Sequence, residues 1–141
     1  MKKYILFDLD GTLTDPMEGI CKSAARGLAH FGIKADYHDL TFFIGPPLLD
    51  TYRDRYGMND EQAREAVAAF REYFQPTGIY ENEIYPGIEE MLKELQDKGY
   101  FLAMATSKPE AFADIVLRHF HIRDYIKVMA GATMDEGRTN K

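Results

Sequence analysis

Two aspartates lie two positions apart, where an apolar stretch of the chain meets a glycine. Residues 4–9 are apolar at every position except Asp8, and Asp10 is followed directly by Gly11. Such a stretch is typical of a strand covered on both faces in a parallel sheet, and ligands collect at the carboxyl edge of such sheets. A turn at Gly11 would aim Asp8 and Asp10 around one reacting centre. The alternative is a strand that ends in an acidic, solvated turn.

The segment that follows the two aspartates has a helical pattern. From residue 15 to residue 83 the apolar residues recur with helical spacing, and no convincing strand appears. Asp15 is expected to cap the first helix with Glu18 completing a capping box, and Asn59 is expected to cap the third helix with Gln62. The pattern predicts an all-α insertion.

The rest of the chain alternates helices with strands. Residues 100–105 and 125–129 are short apolar stretches of strand type, and each follows a helical pattern. This βαβ rhythm indicates a parallel sheet flanked by helices. We therefore expect an α/β core made of residues 1–14 and 84–141, with a helical domain of residues 15–83 inserted after the first strand.

Composition restricts the class of protein. The 141 residues are 45% hydrophobic, which is enough for a core, and the net charge is −6. No run of Lys or Arg could follow a phosphate backbone, so nucleic acid is not expected as a partner. The first apolar run is too short for a signal sequence or a membrane span. The single cysteine, Cys21, has no partner for an intrachain disulfide, and we expect a cytoplasmic protein without membrane contact.

Residues 7–14 read Phe-Asp-Leu-Asp-Gly-Thr-Leu-Thr and resemble the first signature of the haloacid dehalogenase superfamily, Asp-X-Asp-Gly-Thr after an apolar strand. The resemblance implies a three-layer, Rossmann-like parallel sheet with an all-α helical cap. It implies that Asp8 attacks phosphorus and forms an aspartyl-phosphate, while Asp10 protonates the leaving alcohol and later activates water. The Asp8 carboxylate and the Asp10 main-chain carbonyl would hold Mg²⁺, and Gly11 and Thr12 would contact the phosphate.

Two later segments fit the same family. Thr106 and Ser107 follow the strand at residues 100–105 and match the second signature, a Thr or Ser that hydrogen-bonds the phosphoryl group. The neighbouring Lys108 could touch the substrate, although a position at the start of a helix also explains it. The third signature is a charge-neutralising lysine, and in relatives with a similar Gly-Ala-Thr-Met-Asp-Glu-Gly-Arg-Thr-Asn-Lys stretch it falls at Lys141. A frayed terminal lysine is the alternative.

Residues 42–48, Phe-Phe-Ile-Gly-Pro-Pro-Leu, resemble the cap segment of phosphoglycolate phosphatase-like members. In those members the cap closes over the substrate, which implies substrate contacts for Gly45 and Pro46. A rigid turn that links two helices is the alternative.

The chain ends before the family's fourth signature, an acidic strand end that supplies the remaining protein ligand to Mg²⁺. It also ends before the last strands of the usual sheet, so the C-terminal part of that sheet is missing and residues 4–9 would form an exposed apolar edge. Such an edge can pair with another chain. We therefore expect either a piece of a longer enzyme or an assembly by homodimerisation or strand exchange.

The resemblance favours a phosphate monoester hydrolase that acts on a small phosphorylated metabolite, similar to phosphoglycolate phosphatase. Asp10 favours phosphate chemistry over dehalogenation, because a leaving alcohol needs a proton and a halide does not. A 5′-nucleotidase or a phosphomutase of the same superfamily remains open. An inactive binding or assembly module is the alternative from another class.

Overall fold

The structure is a computed structural model, and it describes residues 3–132 apart from the side chains of Ser107 and Ala132. The chain divides into two compact units. One unit runs up to Asp15 and resumes at Glu83, and we call it the α/β unit; the other spans residues 16–82, and we call it the helical unit. In chain order the elements are β1 (Lys3–Phe7), β2 (Thr14–Asp15), α1 (Met17–Ala29), α2 (Leu48–Tyr56), α3 (Asp60–Phe74), β3 (Glu83–Ile84), α4 (Ile88–Asp97), β4 (Tyr100–Pro109), α5 (Glu110–His119) and β5 (Ile126–Ala132).

The α/β unit contains a three-stranded parallel sheet in the order β1-β4-β5. Leu102 and Met104 of the central strand are each 1% exposed, which is the burial expected of a strand with helices packed against it. The register pairs Phe7 with Met104, and Met104 with Met129. The predicted α/β fold with a parallel sheet is therefore confirmed.

The central strand is longer than the sequence pattern predicts. The pattern ends at Ala105, whereas β4 continues to Pro109, which pairs with Ala132 of β5. The register shifts between Ala105 and Pro109, so the strand is irregular over the intervening residues. Such an irregularity redirects side chains, and here it falls at the carboxyl end of the sheet.

Strand β1 exposes apolar side chains. Tyr4 and Leu6 are each 68% exposed, and within the described residues β1 pairs on one side only, with β4. The Tyr4 ring stacks on Phe101 of β4 with 5.4 Å between the ring centroids. The exposed apolar edge that the sequence predicts is therefore present in the described part of the chain.

Helices α4 and α5 cover the sheet through their apolar faces. Leu92 is the buried residue of α4, while α5 buries Phe112, Ala113, Val116 and Leu117. Burying one such large aliphatic side chain stabilises the fold by roughly 1.5–3 kcal/mol. The resulting core supports the ends of β4 and β5, where the polar residues collect.

A two-stranded antiparallel ribbon lies where the chain passes to and from the helical unit. It pairs Thr14 with Ile84 and Asp15 with Glu83, so the helical insertion follows the short β2 as well as β1. The predicted capping of α1 by Asp15 is wrong. The helix begins at Met17 without a side-chain cap, because the backbone of Asp15 belongs to the ribbon.

Helix α3 is central to the helical unit and packs against both α1 and α2. The hydroxyl of Tyr52 in α2 donates a hydrogen bond to the carbonyl oxygen of Ala24 at 3.1 Å. The predicted capping box of α3 is confirmed: Gln62 N–H donates to the Asn59 side chain at 2.8 Å, and Asn59 N–H donates to the Gln62 side chain at 3.0 Å. None of the helices in the described part of the chain is long and apolar enough to cross a bilayer.

Candidate active site at the carboxyl end of the sheet

The loop that follows β1 is organised around the main-chain carbonyl of Leu9. That oxygen accepts hydrogen bonds from the N–H groups of Thr12, Leu13 and Thr14 at 3.2, 2.9 and 3.3 Å. The side chains of Leu9 and Leu13 are buried, with 0% and 1% of their surface exposed. Because both the backbone and these apolar side chains are held, the polar residues of the loop have defined positions.

Gly11 closes this loop in a conformation that favours glycine. Its φ is +80°, and its N–H donates to the carbonyl oxygen of Thr14 at 2.8 Å. No other atom lies within 4 Å of the place where a Cβ would be, so the backbone angle, not a lack of space, favours glycine here. Thr12 is exposed, beside Gly11.

Asp8 is the first residue after β1 and is half-buried. Its Oδ1 accepts a hydrogen bond from the N–H of Leu9 at 2.8 Å. This local bond holds the carboxylate against the backbone at the start of the loop. The side chain is therefore oriented without being removed from solvent.

Asp10 is more deeply placed, and its partner comes from another strand. The Nζ atom of Lys108 lies 3.2 Å from Asp10 Oδ1, and the two side chains are 6% and 9% exposed. The backbone of Asp10 also forms an isolated bridge with Thr14. Because the carboxyl ends of parallel strands meet at one edge of the sheet, the irregular end of β4 brings Lys108 to the loop after β1.

The explanation of Lys108 as a helix-start residue is wrong. Helix α5 begins at Glu110 with Pro109 as its N-cap, and Lys108 is still part of β4. Its side chain is buried and forms an ion pair with Asp10. Sequence reasoning missed this pair, since nothing near Lys108 in the sequence indicates its partner.

Thr106 supports the backbone of Lys108. Its hydroxyl is in a residue only 4% exposed, and Oγ1 accepts a hydrogen bond from the N–H of Lys108 at 3.1 Å. The backbone of Ser107 lies between them in β4. The structure therefore places the predicted Thr-Ser pair and Lys108 in the same strand end.

Gly131 of β5 completes the support of this strand end. A Cβ on Gly131 would lie 2.9 Å from the carbonyl oxygen of Lys108 and 2.9 Å from the Cα of Glu110. Atoms do not approach a real Cβ so closely, so the close packing of these two backbones requires glycine. Gly131 lies two residues after the strand predicted at residues 125–129, and a glycine beside a strand is the sequence signal that could have indicated this contact.

The other predicted site residues are not among the described residues of the α/β unit. Lys141 lies outside them. Gly45 and Pro46 are exposed residues of the helical unit, and Gly45 has a φ of +106°. Among the described residues no group of three or more His, Cys, Asp or Glu side chains could hold a metal ion.

The chain belongs to the haloacid dehalogenase-like hydrolases, whose family model matches residues 5–138. The chain is 48% identical over 138 residues to a 5′-nucleotidase of Pseudomonas aeruginosa, and the match covers 97% of this chain and 62% of that protein. It is 41% identical over 140 residues to the tyrosine-protein kinase PtkA of Mycobacterium tuberculosis, covering 99% of this chain and 47% of the kinase.

The chain is also similar to a phosphoglycolate phosphatase and to a predicted phosphatase of known structure. A phosphoglycolate phosphatase of Vibrio vulnificus is 32% identical over 148 residues, and the match covers 98% of this chain and 65% of that enzyme. The crystal structure of a predicted phosphatase from Clostridium acetobutylicum has a TM-score of 0.95 at 41% identity, covering 97% of this chain and 64% of that one. The chain thus spans less than two thirds of the length of each of these proteins.

Proposed function

We propose that this chain carries the nucleophile and the proton-transferring acid of a phosphate monoester hydrolase whose substrates are nucleoside 5′-monophosphates. The observation that carries the proposal is the rigid loop after β1, which presents Asp8 and places Asp10 against the buried Lys108. The relative named a 5′-nucleotidase matches at 48% identity, and the phosphoglycolate phosphatase matches at 32%. These identities favour the nucleotide over the phosphoglycolate that the sequence resemblance favoured.

In the first step an oxygen of the Asp8 carboxylate attacks phosphorus. A bond forms between that oxygen and phosphorus, and the ester bond between phosphorus and the leaving oxygen breaks. Asp10 gives its proton to the leaving oxygen, so that a neutral nucleoside departs. The hydrogen bond from Leu9 N–H orients the attacking carboxylate.

In the second step water attacks the phosphorus of the aspartyl-phosphate. Asp10, now a carboxylate, takes a proton from that water, and the bond between Asp8 and phosphorus breaks. Inorganic phosphate leaves, Asp8 is again a carboxylate and Asp10 is again an acid. One residue therefore serves as acid and then as base, which requires its carboxyl group to hold one position through both steps.

Thr106 and Ser107 bind the phosphoryl group in this scheme. The Thr106 hydroxyl accepts a hydrogen bond from Lys108 N–H, so it keeps its own proton to donate to a phosphoryl oxygen. Gly11 and Thr12 line the same loop. The family resemblance implies that Lys141 neutralises charge and that Gly45 and Pro46 contact the substrate. The proposal keeps these roles.

The donors of the loop suit Mg²⁺ in kind. The Asp8 carboxylate and the main-chain carbonyl of Asp10 are hard oxygen ligands, which this ion prefers. Two protein ligands are too few to fill the coordination shell of the ion. Mg²⁺ commonly keeps several waters and substrate oxygens in that shell. When bound, the ion would neutralise negative charge on the transferring phosphoryl group.

The test is phosphate release measured on the 141-residue chain and on any longer product of its gene. Nucleoside 5′-monophosphates, phosphoglycolate and an aryl phosphate are compared with and without Mg²⁺. We expect Mg²⁺-dependent hydrolysis, with kcat/KM at least about tenfold higher for a nucleotide than for phosphoglycolate. The variant Asp8→Asn should be inactive, and Asp97→Asn, an exposed aspartate on α4, is the matched control.

Two outcomes would overturn parts of the proposal. A preference for phosphoglycolate would remove the nucleotide and leave the hydrolase. Binding of phosphate esters without any turnover would instead support the inactive binding module.

A second acceptor deserves its own assay because of the similarity to the mycobacterial tyrosine-protein kinase. If a tyrosine hydroxyl replaced water in the second step, Asp10 would take the hydroxyl proton, and the phosphoryl group would pass from the Asp8 carboxylate to the tyrosine oxygen. Incubation with a phosphoryl donor such as ATP and a tyrosine-containing peptide, followed by mass spectrometry, detects the product. We expect no phosphotyrosine, and its formation would replace hydrolysis by transfer.

A further inference from the structure

We infer that Lys108 is the positioning residue for Asp10: its buried ammonium group holds the proton-transferring carboxyl group in one orientation. The inference rests on the proposed function, because it assigns to Lys108 a part in the proton transfer to the leaving group. It differs from the expectation that Lys108 binds substrate directly.

The first support is the burial of both partners. The Lys108 side chain is 6% exposed and that of Asp10 is 9% exposed, with 3.2 Å between Nζ and Oδ1. The ammonium group lies beside Oδ1, so it keeps this contact both when Asp10 is a carboxylate and when Asp10 carries its proton on Oδ2. The buried pair thereby holds the carboxyl group in one orientation. A long, flexible lysine at the surface would impose no such restriction.

The second support is the way in which the backbone of Lys108 is held on both sides. Its N–H donates to Thr106 Oγ1 at 3.1 Å. Its carbonyl oxygen lies against the backbone of Gly131, so closely that a Cβ there would be at 2.9 Å. The base of the lysine side chain is therefore set by two neighbouring groups, and its tip is set by Asp10.

The third support is the position of the pair in the sheet. Lys108 belongs to β4 and Asp10 belongs to the loop after β1, so the contact joins the ends of two neighbouring strands. The contact thereby fixes the carboxyl group of Asp10 relative to β4, the central strand of the sheet. Proton transfer depends on such placement, because an acid must lie within hydrogen-bond reach of the atom that it protonates.

Leaving groups that differ in their need for a proton distinguish this role from substrate binding. A nitrophenolate departs without a proton, whereas the 5′-oxygen of a nucleoside needs one. The quantity to compare is kcat/KM, which reports on steps through the first phosphoryl transfer, because release of the leaving group is the first irreversible step.

We expect Lys108→Met to lower kcat/KM on a nucleoside 5′-monophosphate by roughly 10- to 100-fold more than on p-nitrophenyl phosphate. A general acid contributes roughly 100- to 10,000-fold to the rate, and losing its correct orientation should remove a part of that contribution. Asp10→Asn should show the same selectivity for the leaving group. In the Asp10→Asn background, Lys108→Met should have little further effect. Lys108→Arg, which keeps a cation, should recover part of the loss on the nucleotide.

Equal losses on both esters would overturn the inference and return Lys108 to phosphate binding. Losses that simply multiply in the double variant would also overturn it, because the lysine would then act without Asp10. Lys108→Gln, which is polar and similar in size, provides the same comparison should Lys108→Met not fold. If the wild-type protein hydrolyses neither ester, the proposed function fails. The unfolding temperatures of the wild type, Asp10→Asn, Lys108→Met and the double variant then form a double-mutant cycle, which still decides whether the two residues are coupled.

Discussion

The backbone of Gly131 packs so closely on the backbone of Lys108 that a Cβ on the glycine would lie 2.9 Å from the lysine carbonyl oxygen. The same Cβ would lie 3.0 Å from the main-chain nitrogen of Glu110, the first residue of α5. Strand β5 thus supports the turn from β4 into α5. The position of the Asp10–Lys108 pair depends on this contact, although Gly131 carries no side chain.

Replacing Gly131 by alanine should therefore affect both stability and turnover. The added Cβ must push the Lys108 segment away, and overpacking of this kind costs about 1–3 kcal/mol. We expect Gly131→Ala to lower the unfolding temperature and to reduce kcat/KM for a nucleotide. Ala130→Val, which adds more bulk at the exposed neighbouring position of β5, is the control. Wild-type stability and turnover in Gly131→Ala would show that the contact is unimportant.

A second close approach stabilises the helical unit. A Cβ on Gly27 would lie 2.2 Å from the Tyr52 hydroxyl oxygen and 2.7 Å from the Ala66 carbonyl oxygen. We expect Gly27→Ala to destabilise the protein by about 1–3 kcal/mol in chemical denaturation, even though alanine is the better helix former by roughly 1 kcal/mol.

The Tyr52→Phe background separates these two clashes. Removing the hydroxyl relieves the nearest clash and leaves those with the Ala66 carbonyl oxygen and with the ring Cζ of residue 52 at 2.8 Å. Gly27→Ala should therefore cost less in this background and still cost something. A neutral or stabilising Gly27→Ala in the wild-type background would mean that α1 does not approach α2 and α3 as closely as described.

The exposed apolar face of β1 should promote self-association of the 141-residue chain. Leu6 is 68% exposed on a strand that is paired on one side only within the described residues. A lysine on such an edge opposes pairing with another chain. We expect Leu6→Lys to shift the chain towards monomer in analytical ultracentrifugation. The control is Ile115→Lys on α5, which adds the same charge at a residue 38% exposed and should leave the monomer–oligomer distribution unchanged. Equal shifts in both variants would show that the added net charge, and not the face of β1, controls self-association.

Acid sensitivity should arise in part from Asp114 on α5. The Arg118 side chain donates a hydrogen bond to it at 2.8 Å, and Arg123 donates another at 2.7 Å. The bond from Arg118, opposed by burial and aided by Arg123, lowers the pKa of Asp114 below its ordinary value of 3.8. A carboxyl group with a lowered folded pKa stabilises the fold above the unfolded value, and the contribution is lost as the pH falls through the folded pKa.

Asp114→Asn should therefore lower the unfolding temperature by roughly 2–4 °C near neutral pH. The difference from the wild type should shrink as the pH falls below about 4. Thermal unfolding followed by circular dichroism at several pH values measures this. Asp97→Asn should show no such trend, and a difference for Asp114→Asn that persists in acid would contradict the assignment.

The sequence predicted the parts of this molecule that depend on local patterns. The apolar strand before Asp8, the helix that Asn59 and Gln62 cap and the parallel sheet all appear, because periodicity and capping act over a few residues. The glycine after Asp10 likewise indicated a turn, and Gly11 lies in a tight loop with a φ of +80°.

The missed features depend on contacts between distant parts of the chain. The ribbon that pairs Asp15 with Glu83 has two residues in each strand, too few for any periodicity, and it removed the predicted cap of α1. The ion pair of Lys108 with Asp10 required knowledge that β4 lies beside β1 and continues irregularly beyond Ala105. Such information exists only once the strands are assembled.

Asp8 should become covalently phosphorylated during turnover. Borohydride reduces an aspartyl-phosphate to homoserine, so the protein can be mixed with substrate and Mg²⁺, treated with borohydride, digested and analysed by peptide mass spectrometry. We expect homoserine at position 8, dependent on substrate and absent from Asp8→Asn. Continued release of phosphate with residue 8 unmodified, or homoserine at another position, would contradict it.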